Sequence, residues 1–244
     1  MSSPLVREFP YCEDSAQLFE ALIDQPWASF LDSGHPYSAQ GRYDILSADP
    51  RLLLITRGRK TEIRAPTGSR FSLEDPFQLL QEALGPVMPA AEDIPFYGGA
   101  LGYFGYDLGR RLERLPAIAA DRENLPEMML GIHDWALVVD HQEKRSWLAG
   151  KDAARVKAFH RRLLPALTRK APRRYAAPYR VISEVCSNMS HAEYLHSIAR
   201  IKSYIREGDC YQVNFAQRFA VAAEGDPWQA YRLLRQLNAA PYGA

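Results

Sequence analysis

The sequence predicts an α+β fold in which mostly antiparallel sheets carry peripheral helices. Strand-like segments in the first 150 residues follow one another across short turns rather than helical crossovers. Only a few stretches place apolar residues at helical spacing. With 244 residues and 47% hydrophobic content, the chain is long enough for one large domain or two modest ones.

The composition excludes several classes of protein. The formal net charge is +1, from 30 basic and 29 acidic residues, so no global field attracts nucleic acid or an anionic membrane. Arg7 and Glu8 interrupt the N-terminal region, and no apolar run reaches membrane length. Cys12, Cys186 and Cys210 are widely spaced, which argues against a disulfide framework or a zinc knuckle. We therefore expect a cytoplasmic protein that binds neither nucleic acid nor membrane.

Two helices and a series of strands are expected in the first 150 residues. Residues 14–25, with Asp14 or Ser15 as the cap, and residues 76–84, with Asp75 as the cap, have apolar side chains at helical spacing and are followed by proline or glycine. Alternating or β-branched patterns bounded by turn residues predict the strands. The predicted strands are 27–33, 42–48, 51–57, 60–64, 126–131, 133–140 and 145–148.

An aromatic segment, 95–111, contains five glycines, whose spacing invites comparison with a phosphate-binding loop. Tyr97, Tyr103, Phe104 and Tyr106 favour strand throughout, whereas such a loop lies between a strand and a helix. We interpret the glycines as bulges or points of close backbone approach.

His133, on a later predicted strand, has no second metal ligand and no nucleophile nearby in sequence. A hydrogen-bonded structural role is therefore expected for it.

The C-terminal part begins with a helix predicted at 152–164. Residues 161–180 hold seven Arg or Lys, several prolines and no acidic residue, which favours an exposed linker. A further helix starts at the capping box of Ser190 and Glu193 and ends at Gly208. Its two histidines are five positions apart and make no metal pair. The last predicted helix starts at Pro227.

Residues 208–219, with the sequence GDCYQVNFAQRF, place the amide side chains of Gln212 and Asn214 among β-forming residues. The pattern predicts a strand that follows directly on the helix ended by Gly208. Buried amides need hydrogen-bonding partners, so a functional role is one interpretation. On the residue pattern alone, a half-exposed strand with an ordinary polar face is the simpler one.

This stretch closely resembles the signature that opens the catalytic domain of the chorismate-utilising enzymes. Residues 95–111 and 131–137 are similar to the N-terminal domain of the same family. The Gln-Val-Asn sequence at 212–214 is most similar to component I of aminodeoxychorismate synthase. The sister branch, anthranilate synthase component I, usually has valine in place of Asn214. The resemblance implies three regions: an N-terminal domain like that of anthranilate synthase component I at 1–150, a helix and basic linker at 151–185, and the truncated start of the chorismate-binding α/β domain at 186–244.

The resemblance also implies a pocket for L-tryptophan with two walls. Physically, Ser33 and backbone amides near Gly41 can hold the polar ends of an amino acid while Tyr43 supplies an apolar wall. Without the resemblance, a turn capped by Ser33 and a solvated Arg42 explain the same residues equally well. The matching positions are Ser33, Gln40, Gly41, Arg42, Tyr43, Ala240, Pro241 and Tyr242.

The implied reaction replaces the C4 hydroxyl of chorismate by ammonia, giving 4-amino-4-deoxychorismate for p-aminobenzoate and folate synthesis. The family's catalytic lysine, its general-acid glutamate and the carboxylates that bind Mg²⁺ would lie beyond Ala244. We therefore expect no catalytic or metal-binding residue in this chain and no activity from it alone. Ammonia would come from a separate glutaminase subunit. Gln212 and Asn214 belong to the signature without an assigned role.

Two alternatives to this reading stay open. The first is anthranilate synthase component I, which Asn214 disfavours. The second belongs to another class, a non-catalytic tryptophan-binding module, and it becomes the better interpretation if translation ends at Ala244.

Overall fold

The computed structural model describes residues 4–86, 94–114, 116–118, 121–168 and 177–244. The chain divides into two compact units, the first formed by residues 1–173 together with 235–244 and the second by residues 174–234. The boundaries predicted at residues 150 and 185 stay a prediction. The last ten residues belong to the first unit although they follow the second in sequence.

The first unit contains two five-stranded sheets in which all neighbouring strands are antiparallel, so the predicted fold class is confirmed. In spatial order, the first sheet consists of β1 (Leu5–Phe9), β10 (Arg145–Gly150), β9 (Trp135–Asp140), β3 (Tyr43–Ser47) and β2 (Ser29–Leu31). The second consists of β6 (Gly68–Ser72), β5 (Lys60–Ala65), β4 (Leu52–Arg57), β8 (Met128–His133) and β7 (Gly99–Phe104). β1 and β6 were not predicted, because these edge strands are mostly exposed and lack apolar alternation.

Two predicted helices of this unit form with the expected caps. Helix α2 (Pro76–Leu84) begins at Asp75, whose side chain accepts hydrogen bonds from the first-turn amides. Helix α3 (Ala153–Leu163) begins in the same way at Asp152. On the inner face of α3, Phe159 stacks on Trp135 of β9 with ring centroids 3.8 Å apart. All six residues of β9 are buried, so this strand lies at the centre of the first sheet's core.

The first predicted helix is much shorter than expected, since α1 covers only Ala16–Phe19 rather than 14–25. Beyond Glu20 the backbone hydrogen bonds join residues three apart, as in Ala21 to Leu18 at 3.1 Å, so the chain continues in turns. Of the two expected caps, Asp14 accepts a hydrogen bond from the Ala16 amide at 3.2 Å, whereas Ser15 makes no capping bond. The Ser15 side chain is used elsewhere. Its hydroxyl instead donates to the buried side chain of Asp44, a competing interaction that local sequence cannot show.

The glycine-rich segment forms β7 and brings backbone close to backbone, as predicted. Gly102 has φ +146°, and a Cβ on it would lie 2.0 Å from the carbonyl oxygen of Met129 in the adjacent β8. The strand prediction is wrong after Phe104, because Tyr106–Arg111 forms a 3₁₀ helix. This helix buries Leu108 against the cluster of Leu54, Ile63, Leu79, Met128 and Leu130 beneath α2.

Much of the predicted basic linker lies outside the described residues, at 169–176. Before it, Leu164–Thr168 forms a 3₁₀ helix that continues from α3. The exposed residues 177 and 178 follow the gap, as the chain enters the second unit.

The second unit contains α4 (His191–Glu207) and most of α5 (Pro227–Leu237). The capping box is confirmed: the Ser190 hydroxyl accepts from the Glu193 amide, and the Glu193 carboxylate accepts from the Ser190 amide at 2.7 Å. Gly208 ends α4 in the left-handed region with φ +85°. Two short antiparallel ladders join β11 (Arg180–Val181) to β14 (Ala223–Glu224) and β12 (Cys186–Ser187) to β13 (Phe219–Ala220).

The strand predicted over 208–219 is wrong for nearly its whole length. Residues 209–218 form neither helix nor strand, and only Phe219 enters β13. A run of β-forming residues becomes a strand only where a neighbouring strand supplies backbone partners. Within the described part of the chain, only Cys186 and Ser187 pair with this region as a ladder, so the residues before Phe219 stay irregular and largely exposed.

Candidate functional site

The loop that follows β2 lies against the last residues of the chain, within the first unit. Asp32 and Gly243 exchange two backbone hydrogen bonds, each 2.8 Å long. Gly34 has φ +76°, and a Cβ on it would lie 3.0 Å from the carbonyl oxygen of Ala240. Both the backbone conformation and the close contact therefore require glycine at position 34. The two segments expected to form the walls of one pocket are adjacent at this point.

The carboxylate of Asp44, fully buried on β3, organises the neighbouring segments. It accepts hydrogen bonds from the Ser33 backbone amide at 2.7 Å, from His141 Nε2 at 2.9 Å and from the Ser15 hydroxyl. Burial opposes its ionisation, but the bonds from His141 and Ser15 outweigh burial, and the pKa of Asp44 lies below its ordinary value. An ionised carboxylate only accepts, so Nε2 of His141 carries a proton.

Two histidine rings stack beside this carboxylate. His35 and His141 lie with ring centroids 3.9 Å apart and planes at 15°. The Tyr11 hydroxyl lies 3.1 Å from Nδ1 of His141, where it donates to the neutral ring or accepts from the charged one. Burial lowers the pKa of His35, and the neighbouring His141 lowers it further. Its buried Nε2 has no hydrogen-bonding partner among the described residues.

Ser33 has the same unfulfilled hydrogen-bonding capacity. Its side chain is 2% exposed, and its Oγ contacts no donor or acceptor in the part of the chain that the structure describes. A Cβ on Gly41 would lie 2.8 Å from this Oγ and 2.4 Å from the Ser33 carbonyl oxygen, so any larger residue at 41 would displace Ser33. Buried hydroxyls are normally hydrogen-bonded. The Ser33 hydroxyl therefore has hydrogen-bonding capacity that the described residues do not use.

The structure brings together some of the predicted pocket residues and separates others. Arg42 pairs with Asp140 at 3.0 Å and lies over the ring of Tyr43 at 4.6 Å, so its charge is already satisfied. Gln40 and Tyr242 are exposed, the latter by 96%. Half-buried members of the predicted set are Gly41, Tyr43 and Pro241, while Ala240 contacts Gly34 through its carbonyl group.

Several residues of this site were missed in the sequence analysis, namely Tyr11, Ser15, His35, Asp44, His141 and Arg235. One signal was present in the sequence, because Asp44 is a charged residue within a strand of otherwise β-forming residues. A carboxylate at such a position needs partners, but the sequence does not reveal which donors come from segments as far away as His141, 97 residues later.

Gln212 and Asn214 lie in the second unit on the irregular stretch before β13. Both side chains are exposed, and Gln212 Nε2 donates to Asn214 Oδ1 at 3.2 Å. The structure thus shows the two signature amides paired with each other, and their role stays unassigned.

No set of three or more His, Cys, Asp or Glu side chains is placed to bind a metal ion in the described ranges. The Mg²⁺ ligands were expected beyond Ala244, so the Mg²⁺ implied by the resemblance stays a prediction. None of the helices in the same ranges is long and apolar enough to cross a membrane.

Comparison with known proteins identifies the family. Residues 37–244 match the model of the chorismate binding enzymes, and the chain belongs to that family. Its fold is similar to the crystal structure of anthranilate synthase component I from Streptococcus pneumoniae TIGR4, with a TM-score of 0.67 over 84% of this chain and 47% of that chain. Sequence identity in that comparison is 22%, so it concerns the fold alone.

Curated relatives from both branches match over most of the chain. It is 42% identical to aminodeoxychorismate synthase component 1 of Klebsiella aerogenes over 100% of its own length and 53% of that protein's. The corresponding protein of Salmonella typhimurium is 43% identical over 99% and 53%. Anthranilate synthase component 1 of Acetivibrio thermocellus is 31% identical over 94% and 50%. The chain thus spans about half the length of these relatives, and the resemblance seen in its motifs is confirmed.

His133 has the structural role that its sequence context predicts. It is 1% exposed, and its Nδ1 lies 2.8 Å from the Ser47 hydroxyl, which donates its own proton to the Trp135 carbonyl oxygen. Nδ1 must therefore be the donor in the bond to Ser47. Burial lowers the pKa of His133 to about 4.

We expect stability to fall in acid because of His133. The folded-state pKa of about 4 lies below the usual 6.5, so the buried neutral ring contributes to stability above pH 6.5. This contribution is lost as the pH falls from 6.5 to 4. The loss is about 3 kcal/mol of unfolding free energy. Urea unfolding at pH 7 and at pH 4 measures it: the loss on acidification should be smaller by about that amount in His133→Gln. The exposed His191→Gln should retain the wild-type dependence, and equal losses in His133→Gln and wild type would contradict the assignment.

Proposed function

We propose that the chain is part of an enzyme of the aminodeoxychorismate branch, which replaces the C4 hydroxyl of chorismate by ammonia. The observation that carries the proposal is an identity of 42–43% to two aminodeoxychorismate synthase components over essentially the whole chain, against 31% to an anthranilate synthase component. The Gln-Val-Asn sequence that ends at Asn214 supports the same branch. The product would be 4-amino-4-deoxychorismate, a precursor of p-aminobenzoate and folate.

The chemistry requires groups that the described residues do not bring together. A C4 hydroxyl is a poor leaving group at neutral pH, so it must be protonated as it departs, and the two carboxylates of chorismate need a compensating cation. Within the ranges described here there is no metal-binding cluster. We place the lysine, the general acid and the Mg²⁺ ligands in the half of the relatives that this chain does not span, so residues 1–244 alone should not turn over chorismate.

We also propose that a glutaminase subunit is the source of ammonia. The relatives are named as component 1 of their enzymes, which supports a second component. A separate subunit that releases ammonia beside the chorismate site would keep it from being protonated and diluted in bulk water.

The product of the intact enzyme tests the branch. The complete reading frame that contains residues 1–244 is expressed and incubated with chorismate, ammonium and Mg²⁺, and the products are separated by chromatography and identified by mass. We expect 4-amino-4-deoxychorismate from the complete frame and no turnover from residues 1–244 alone. Anthranilate as the main product would assign the chain to the sister branch, and turnover by residues 1–244 would contradict our placement of the catalytic groups.

We propose a second function, the binding of L-tryptophan in the first unit. A specific observation favours it: the buried Ser33 hydroxyl has no partner among the described residues, and it lies between Gly41 and the segment that contacts Ala240. An α-amino or α-carboxyl group can use such a hydroxyl, and the half-buried Tyr43 and Pro241 offer apolar surface for an indole ring. This function holds for a catalytic protein and for a binding module alike.

Calorimetry with L-tryptophan tests the site. Ser33→Ala removes one hydrogen bond to the ligand, which corresponds to an affinity about five- to tenfold weaker. Ser29→Ala is the matched control, because this β2 serine already donates to the Trp27 carbonyl oxygen and should bind as the wild type does. Equal affinities for Ser33→Ala and wild type would remove Ser33 from the site. No heat from the wild-type protein would remove the tryptophan proposal.

A further inference from the structure

One buried cation, Arg235 near the end of α5, is not among the residues predicted to form the pocket. Its side chain is 3% exposed and belongs to the first unit. The guanidinium forms a bidentate pair with Asp32, with Nε 2.6 Å from Oδ2 and Nη2 3.1 Å from Oδ1. Nη1 donates to Asp14 at 2.8 Å, and Nη2 also donates to the His35 carbonyl oxygen at 2.5 Å. Four hydrogen bonds thus join one side chain to three residues.

The surroundings of Arg235 favour its charged form. Burial opposes the charge, but the hydrogen bonds and charges of Asp32 and the charge of Asp14 outweigh burial, so its pKa lies above the usual value. The guanidinium carbon also lies 5.5 Å from the ring centre of Tyr37 and 5.9 Å from that of Phe30. A fixed, planar cation is therefore held on several sides by the segment 30–37.

Arg235 closes a ring of contacts that includes both walls of the candidate pocket. Its partner Asp32 also accepts from the Gly34 amide at 2.8 Å, and the Asp32 backbone pairs with Gly243. Arg235 itself lies five residues before Ala240 on the chain that leads to Gly243. The side chain of Arg235 and the backbone of Gly243 thus bind the same residue from two points of one segment, which fixes residues 239–243 against the loop that carries Ser33.

We propose that Arg235 is the positioning residue of the amino-acid site. It does not contact the ligand; it holds the Ser33 loop and the 240–242 segment at the separation that the ligand requires. This inference rests on the tryptophan-binding function proposed above. No motif or spacing in the sequence points to Arg235. Its guanidinium acts here through the geometry of its several hydrogen bonds and not through its charge alone.

The fork geometry gives a test that separates positioning from stability. Arg235→Lys keeps the charge beside Asp32, but an ammonium group cannot hold Asp32 at two points and also reach Asp14 and the His35 carbonyl. We expect it to melt below wild type but above Arg235→Gln, and to bind L-tryptophan at least about tenfold more weakly by calorimetry. Arg235→Gln should lose both stability and affinity.

Arg155→Gln is the matched control, because Arg155 is another partly buried arginine of the first unit, paired with Asp49 away from this loop. It should lower the melting temperature and leave the affinity for tryptophan unchanged. Wild-type affinity in Arg235→Lys and Arg235→Gln would overturn the positioning role. So would an affinity loss in Arg155→Gln as large as that in Arg235→Lys, since stability alone would then explain it.

A ligand-free measurement separates this inference from the tryptophan proposal. Amide hydrogen exchange in Arg235→Lys should be at least about tenfold faster than wild type at Asp32 and Gly243, whose mutual bonds Arg235 supports, and unchanged in α3. If the wild type binds no tryptophan but this acceleration is seen, the ligand is wrong and the positioning of the two segments stands. Unchanged exchange at Asp32 and Gly243 would overturn the positioning role whatever the ligand.

Discussion

The buried carboxylate of Asp44 is the constraint on which the arrangement of the first unit's site depends. An ionised group without water needs several donors, and here they come from the residue before α1, the loop after β2 and the turn after β9. Each donor is held by its own element, so satisfying Asp44 fixes three distant segments at once. A second buried charge, Arg235, then fixes the end of the chain against the same loop. Two charges thus determine the geometry around Ser33.

The two features that point to function lie in different units. The proposed amino-acid site uses loops at the edge of the first antiparallel sheet, where strand ends and turns present backbone amides and short polar side chains. The signature that contains Gln212 and Asn214 lies in the second unit, which buries only Trp228 among its described residues. All residues of the proposed amino-acid site therefore lie in the first unit, separate from the signature that carries the resemblance to chorismate-utilising enzymes.

Sequence was a good guide wherever structure is decided locally. Capped helices such as α2 and α4, and short continuous apolar runs rich in β-branched residues such as β9, were predicted because these signals act over a few residues. The failures concern tertiary partners. Edge strands β1 and β6 are exposed and carry no apolar pattern, and residues 209–218 have β-forming side chains without the strand partners that would pair with them.

The same distinction applies to the site. Resemblance to a family pointed to Ser33 and Gly41, which do lie in contact, but not to Asp44, His141 or Arg235, whose importance depends on contacts between residues 97 and 203 positions apart. A crystal structure of residues 1–244 grown with L-tryptophan tests the central claim most directly. The account predicts the ligand between the Ser33 loop and residues 240–242, with a polar atom about 3 Å from the Ser33 hydroxyl. Ligand bound elsewhere, or an unoccupied loop at saturating tryptophan, would contradict it.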